Sequence, residues 1–240
     1  MKKSLSLLVA VGFAAAISAQ AQVVNYNNTV TSPQIISSWG PSGTYTYGET
    51  FVAPGTGSLT ALNDWTFYIT GTAGQTTYFQ ANIYAWSGGM IGTSVGQAVG
   101  APIFSENTSF TASGTDQAVT INTGGAAVLN TGSDYIAFFT VSDPASLLAN
   151  AESGASYTYD LGAGGFGGHS PSDGGGSFQF YNNQTLDQLT SSTWDTFSDF
   201  GSLAWNANFN YSPEPTPEPS TIALAGLGGL GMLWQLRPRK

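Results

Sequence analysis

A two-residue alternation runs through Leu203-Ala204-Trp205-Asn206-Ala207-Asn208-Phe209-Asn210-Tyr211. Because successive side chains of an extended strand point to opposite faces, the large apolar residues of this stretch share one face with an alanine. The opposite face receives a second alanine and three asparagines. A helix would spread the same residues around its whole circumference. The alternation therefore predicts a β-strand with one face towards a core and one face towards solvent.

The same period recurs in residues 64–70, 77–86 and 117–122. Residues 135–141 are apolar on both faces except at Thr140, which predicts a central strand that is covered on both sides. The apolar faces of these strands must meet in one interior. We therefore expect a core that includes six large side chains, namely Trp65, Phe67, Ile83, Phe139, Trp205 and Phe209.

Glycine-containing segments separate the alternating ones, among them residues 71–74, 87–89 and 122–125, and they predict turns. No stretch of the body sustains the 3.6-residue period of a helix, and residues 186–200 are the best candidate for a short helical turn. Many strands with glycine-rich turns indicate an all-β fold. We predict an antiparallel jelly-roll-like β-sandwich over residues 22–211.

Charged residues are few and unevenly placed. They make up 8% of the 240 residues, against about 25% in ordinary soluble domains. All five basic residues are terminal, and no Lys or Arg lies between Val23 and Tyr211. A body without these cations cannot neutralise phosphates, which argues against nucleic acids and nucleotides as partners. Cysteine is absent as well, so the core must stabilise the body without disulfides.

The first 21 residues have the three parts of a secretory signal peptide. Lys2 and Lys3 provide a positive start, residues 5–17 are apolar, and Ala19-Gln20-Ala21 supplies the small-x-small pattern. We predict export and cleavage after Ala21 by a signal peptidase. The alternative, an uncleaved membrane anchor, is disfavoured because the apolar run is short for a membrane span.

The last 29 residues change character twice. Residues 212–219 alternate proline with polar residues, which predicts an extended linker. Residues 222–236 are apolar or glycine apart from Gln235, and residues 237–240 form a basic end. As a helix, the apolar run would reach about 22 Å, less than the roughly 30 Å of a bilayer core. We expect a single short C-terminal transmembrane helix with its basic end in the cytoplasm.

The order of Pro217-Glu218-Pro219-Ser220-Thr221, an apolar helix and a basic end resembles the PEP-CTERM sorting signal of exopolysaccharide-producing bacteria. The same region is also known as the ice-binding protein C-terminal domain. The resemblance covers residues 217–240. It implies transient membrane anchoring, recognition and cleavage by an exosortase-type membrane protease, and a final place on the cell surface or in the extracellular matrix. It also implies an association with exopolysaccharide or biofilm.

The body, in turn, is similar to secreted proteins that often carry this tail. The similarity rests on residues 51–54, on Trp65-Thr66-Phe67-Tyr68-Ile69, on residues 83–86 and on Tyr135-Ile136-Ala137-Phe138-Phe139. That group has no established activity to transfer.

A glycine-rich run and the histidine that follows it resemble parts of known functional sites. Residues 162–167 match the G-x-G-x-x-G fingerprint of dinucleotide-binding folds, but the sequence Gly168-His169-Ser170-Pro171 that follows is unsuited to the helix this fingerprint requires. The run is therefore interpreted as a flexible glycine loop. His169 is the only histidine, so a zinc site would depend on carboxylates alone. A Ser-His-Asp triad around it lacks the nucleophile elbow, and an exposed loop is the preferred interpretation.

Carboxylates offer two further hypotheses. Asp187, Asp195 and Asp199 are close in sequence and could form the pair that hydrolyses glycosides. Asp160 and residues 170–174 could supply oxygen ligands to a structural calcium ion. Any acidic protein yields such groupings, so neither is preferred over solvated surface charge.

The leading hypothesis is an exported, non-enzymatic surface or matrix protein with no catalytic residue and no cofactor, which associates with extracellular polysaccharide. The absence of cationic groups fits a neutral polysaccharide. The alternative is a secreted glycan-active hydrolase or a carbohydrate-binding module.

Overall fold

The computed structural model describes residues 21–28, 35–90, 95–165, 176–182, 185–196 and 201–211. Within the chain, Ala21–Pro213 forms one compact unit. Several predictions lie outside the described residues, namely the signal peptide with Ala19, the linker 212–219, the sorting motif Pro217–Thr221, the transmembrane helix 222–236, the basic end 237–240, His169, residues 170–174 and Asp199.

The described part of the chain is dominated by strands. In order these are β1 (Gln22–Asn28), β2 (Ile35–Trp39), β3 (Thr46–Val52), β4 (Leu59–Thr70), β5 (Thr76–Gly88), β6 (Gly96–Thr111), β7 (Gln117–Asn130), β8 (Asp134–Thr140), β9 (Tyr159–Gly165), β10 (Phe178–Tyr181), β11 (Ser202–Leu203) and β12 (Trp205–Tyr211). A helix, α1 (Pro144–Ser153), follows β8, and a 3-10 helix (Leu186–Thr190) follows β10.

The strands form two antiparallel sheets that pack face to face, so the predicted all-β sandwich is confirmed. The seven-stranded sheet contains the run β1-β12-β4-β7, and β9 pairs with the last residues of β4 and carries β2 and β11. The five-stranded sheet has the order β10-β3-β8-β5-β6. Without the short strands β2 and β9–β11, the orders β1-β12-β4-β7 and β3-β8-β5-β6 are those of a jelly roll.

The core between the sheets consists of the side chains that the alternation assigned to it. All six predicted core residues are fully buried, namely Trp65, Phe67, Ile83, Phe139, Trp205 and Phe209. Phe139 lies at the centre, with its ring 4.6 Å from that of Phe79 and 4.8 Å from that of Phe67. The apolar faces of the two sheets therefore meet where the two-residue period predicts.

A second, smaller apolar cluster covers the outward face of β8. Ile136 and Phe138 point away from the main core and are buried against Leu189 and Trp194. The rings of Phe138 and Trp194 are 5.2 Å apart, and Trp194 Nε1 donates to the carbonyl of Leu189 at 2.8 Å. The 3-10 helix falls inside the predicted helical turn, and β8 is covered on both sides as its apolar sequence predicts.

Two turn or loop predictions are wrong. Gly162–Gly165, interpreted as the start of a flexible loop, lies in β9, where Gly162 is close-packed against Tyr68 and Ala204. Residues 122–125 do not end a strand but form an excursion inside β7, opposite the position where the register of β4 shifts. Gly124 and Gly125 have positive φ there, which explains why glycine is needed without a chain reversal.

Candidate functional site

The outward face of the seven-stranded sheet carries a row of carbonyl- and amide-bearing side chains. The register pairs Asn25 with Asn208, Asn208 with Asp64, and Asp64 with Asn122. Because directly paired residues point to the same side of a sheet, the four side chains cross four neighbouring strands as one line. This line lies opposite the buried face that Trp205 and Phe209 occupy.

A second row runs parallel to the first, two residues along each strand. It pairs Asn27 with Asn206, Asn206 with Thr66, and Thr66 with Thr120. We call the two rows together the amide face, which comprises Asn25, Asn27, Asp64, Thr66, Thr120, Asn122, Asn206 and Asn208. Strands lie about 4.8 Å apart and alternate residues about 6.8 Å apart, so the face is a regular grid of polar groups.

Hydrogen bonds between side chains hold this grid in place. Asn208 Nδ2 donates to Asp64 Oδ1 at 2.5 Å, and the hydroxyls of Thr66 and Thr120 are 2.7 Å apart. Asn206 Nδ2 donates to the hydroxyl of Tyr68, the next outward residue on β4, at 2.9 Å. The members on the middle strands are half-buried or buried, whereas the members on β1 and β7 are exposed. Asp64, Thr66, Thr120, Asn206 and Asn208 are therefore preorganised by side-chain hydrogen bonds.

A separate groove of about 350 Å³ lies on the other sheet, between α1 and strands β5 and β6. Its walls carry only uncharged side chains: Tyr78, Asn107, Thr108, Ser109, Ala145, Ser146 and Ala149.

The helix that forms one wall of this groove is fixed at both ends and in the middle. Asp143 Oδ1 accepts hydrogen bonds from the backbone N–H groups of Ala145 and Ser146, and Gly154 ends the helix with φ of 67°. In the middle, Asn150 Oδ1 accepts from the N–H of Tyr78 at 2.9 Å, and its Nδ2 donates to the carbonyl of Tyr78 at 2.8 Å. The Asn150 amide thus continues the ladder of β5 and ties α1 to the sheet.

Asp160, a predicted calcium ligand, lies in a cleft of about 440 Å³ lined by Thr70, Gly71, Thr72, Ala73, Gly114, Thr158 and Asp160 itself. Thr70 also donates to Asp116 Oδ1 at 3.4 Å, so a second carboxylate lies beside the cleft. No group of three or more metal-ligating side chains of the His, Cys, Asp and Glu types occurs among the described residues.

The hypothetical glycosidase carboxylates that the structure describes lie on the surface. Asp187 is exposed on the 3-10 helix, and Asp195 is exposed beside β10. The backbone of Asp195 exchanges two hydrogen bonds with that of Phe180. Neither aspartate lines the groove or the cleft described above. Gly162–Gly165, the first four residues of the glycine fingerprint, lie in strand β9. A dinucleotide site would need a turn into a helix there.

Glu49 is a feature that the sequence analysis missed. It lies on β3 between the buried residues Tyr47 and Phe51, on the face that points into the sandwich, and it is fully buried. Its Oε2 accepts a hydrogen bond from the backbone N–H of Leu203 at 2.7 Å. The carboxylate therefore ties the five-stranded sheet to β11 of the other sheet. Its place in the alternation of β3 is the signal that could have revealed it.

Burial raises the pKa values of several ionisable groups among the described residues. It raises the pKa of Tyr159 to about 12, and the neighbouring Tyr157 adds to the shift. Burial likewise raises the pKa values of Tyr47, Tyr84 and Asp134. All four shifts favour the neutral form, as expected where apolar surroundings replace water.

Helices within the described residues are all too short or too polar to cross a membrane. Residues 215–240 match the family model for the PEP-CTERM protein-sorting motif. No curated protein and no solved structure matches the chain.

Proposed function

Because the chain carries a PEP-CTERM protein-sorting motif at residues 215–240, and is thus marked as an exported protein for sorting by an exosortase, we propose that it is a non-enzymatic protein of the cell surface or extracellular matrix. In this proposal it associates there with extracellular polysaccharide. The observation that carries the proposal is the combination of this motif with a β-sandwich whose exposed sheet face is built from amides and hydroxyls.

The charge distribution supports a neutral partner. No Lys or Arg lies between Val23 and Tyr211, and the formal net charge of the chain is −9. Phosphate-bearing and other polyanionic partners need cationic side chains, which the body does not provide. Amide and hydroxyl groups instead donate to and accept from the hydroxyl groups of uncharged sugars. The composition therefore favours a neutral polysaccharide over a nucleic acid or an acidic polymer.

The cavities support a non-enzymatic role. Hydrolysis of glycosides requires two carboxyl groups about 5 to 9.5 Å apart across the scissile bond. The groove beside α1 is lined by uncharged side chains, whereas the cleft at Asp160 has one carboxylate in its wall and the Asp116 carboxylate beside it, which accepts a hydrogen bond from Thr70. Binding without turnover is the activity that the uncharged groove supports.

Sorting can be tested by measuring the intact mass of protein recovered outside the cell. We expect a species that begins at Gln22 and has lost the residues that follow cleavage near Pro217-Glu218-Pro219. Glu218→Ala should block this processing, because it removes the carboxylate from the motif. The matched control is Glu214→Ala, which changes the residue just before the matched region, in the similar sequence Pro213-Glu214-Pro215. Extracellular protein that still ends at Lys240 would contradict sorting by cleavage.

The association itself requires a second measurement. Extracellular protein is mixed with polysaccharide isolated from the producing cells, and both the bound fraction and the release of reducing ends are followed. Binding with no release of reducing ends supports the proposal. A steady release of reducing ends would instead identify the glycan-active hydrolase.

A further inference from the structure

We propose that the amide face is the surface that binds the polysaccharide, and that its ligand is a neutral chain of sugars lying flat across β1, β12, β4 and β7. The inference rests on the proposed function and assigns it to eight residues on one side of one sheet. The ligand is an uncharged polymer that is rich in hydroxyl groups.

The side chains of the amide face suit a ligand that both donates and accepts hydrogen bonds. Five of the eight members are asparagines, and each asparagine amide offers donors and acceptors from the same group. A sugar hydroxyl also both donates and accepts, so it can be satisfied on such a face in either orientation. A face of this composition suits a ligand with many hydroxyl groups and no charge.

The charges on and around the amide face favour an uncharged ligand. Asp64 is the one ionisable member of the eight, and its Oδ1 is engaged by Asn208 at 2.5 Å. The strands that carry the face contain no Lys or Arg. A polyanion would meet a negatively charged protein without a compensating cation, whereas a neutral polymer meets no such repulsion.

Several polar groups of the amide face are preorganised for binding. Side-chain hydrogen bonds already fix Asn206, Asn208 and Thr66 on rigid, paired strands. Ordering a flexible side chain costs about 0.5 to 1.5 kcal/mol on binding, and a prearranged grid avoids most of that cost. Tyr68 continues the same face beyond Thr66, and its half-buried ring provides an apolar surface next to the grid.

The other sheet offers less room for an extended ligand. Its outward face is partly covered by α1, which Asn150 ties to β5, and by Leu189 and Trp194, which pack on β8. The groove beside α1 is about 350 Å³, a volume that suits a short ligand rather than a long chain. An extended polymer therefore finds its regular, open surface on the amide face.

The test compares binding of the extracellular protein to cellulose, curdlan and dextran, with alginate as an anionic comparison. The face variant is Asn25→Ala, Asn208→Ala and Thr120→Val, which removes polar groups from three strands. The matched control is Ser105→Ala, Asn107→Ala and Ser109→Ala, which removes three exposed polar groups from β6 beside α1. Circular dichroism establishes that each variant is folded. If the triple variant does not fold, the single variant Asn25→Ala, at an exposed position of β1, replaces it in the binding comparison.

We expect the wild-type protein to bind at least one of the neutral glucans more tightly than alginate. The face variant should weaken that binding by about tenfold or more, and the control variant by less than about twofold. Equal binding by the wild type and the face variant would overturn the inference and leave the proposed function standing. Self-association of the protein through the face, abolished by the face variant, would also overturn it. Failure of the wild type to bind any polysaccharide, including that of the producing cells, would overturn the proposed function as well.

Discussion

Tyr159 illustrates how a single buried hydroxyl affects this fold. The residue is 1% exposed, and its ring lies 5.4 Å from that of Phe110 and 6.0 Å from that of Trp39. Among the described residues no hydrogen-bond partner is found for its hydroxyl. Burial of this group in apolar surroundings raises its pKa to about 12, so the fold favours the neutral phenol over the phenolate.

The consequence is a specific dependence on pH. An unfolded tyrosine ionises near pH 10, whereas Tyr159 in the fold ionises at about pH 12. The contribution of neutral Tyr159 to the free energy of unfolding is therefore fully present below about pH 10. It is lost as the pH rises towards 12. We expect Tyr159→Phe to be at least as stable as the wild type at neutral pH and to lose less stability in alkali. Urea midpoints measured at a series of pH values test this. A steeper alkaline loss in the phenylalanine variant would refute it.

At the scale of one element, β12 separates its two faces sharply. Trp205 is fully buried with its ring 5.5 Å from that of Phe51, whereas Asn206 is half-buried on the amide face. Trp205→Ala should lower the free energy of unfolding by about 3 to 5 kcal/mol, because it leaves a large cavity. Asn206→Ala should lower it by less than about 1 kcal/mol, since it removes one hydrogen bond at a half-buried position.

Denaturant midpoints of the two variants give the comparison directly. If Asn206→Ala were the more damaging change, the face assignment of β12 would be wrong. Every row of the amide face would then be misassigned as well, because the rows follow the register of β12 with β1 and β4.

The strands of the core could be predicted because each places large apolar residues at alternate positions. The helix α1 could not be found in this way, since its two buried residues, Ser146 and Asn150, are polar. Its ends nevertheless carry a readable signal, because Asp143-Pro144 is a strong start and Gly154 a strong stop. Strand β9 could not be predicted because it is rich in glycine, which is uncommon in strands. Here glycine at position 162 allows close packing against Ala204.

The amide face was only partly predictable. The sequence of β12 reveals three outward asparagines, but their neighbours on β1, β4 and β7 depend on register. Register between distant segments is a tertiary property. A bulge of β4 between Leu62 and Asp64 shifts its pairing with β12, and the excursion inside β7 shifts the pairing of β7 with β4. The sandwich could therefore be predicted from local patterns, while the surface that we propose as functional could not.

For the whole molecule, the absence of Lys and Arg from the body has a simple experimental consequence. Trypsin cleaves after these residues, and none lies between Val23 and Tyr211. We expect the body to remain one large fragment even when it is denatured in urea before digestion, since the protection lies in the sequence and not in the fold. Mass spectrometry of the digest provides the measurement. Chymotrypsin is the control, because its aromatic sites are plentiful and should become accessible on unfolding.

The position of β12 determines how the molecule would respond to mechanical load. Its last residue, Tyr211, pairs with Gln22 of β1 on one side and with Thr60 of β4 on the other, so the strand that leads towards the tail lies inside the sheet. Traction along that strand must shear two hydrogen-bonded ladders at once, whereas an edge strand would detach from one neighbour. A protein held by its C-terminal end would thus pass tension directly into the middle of its sandwich.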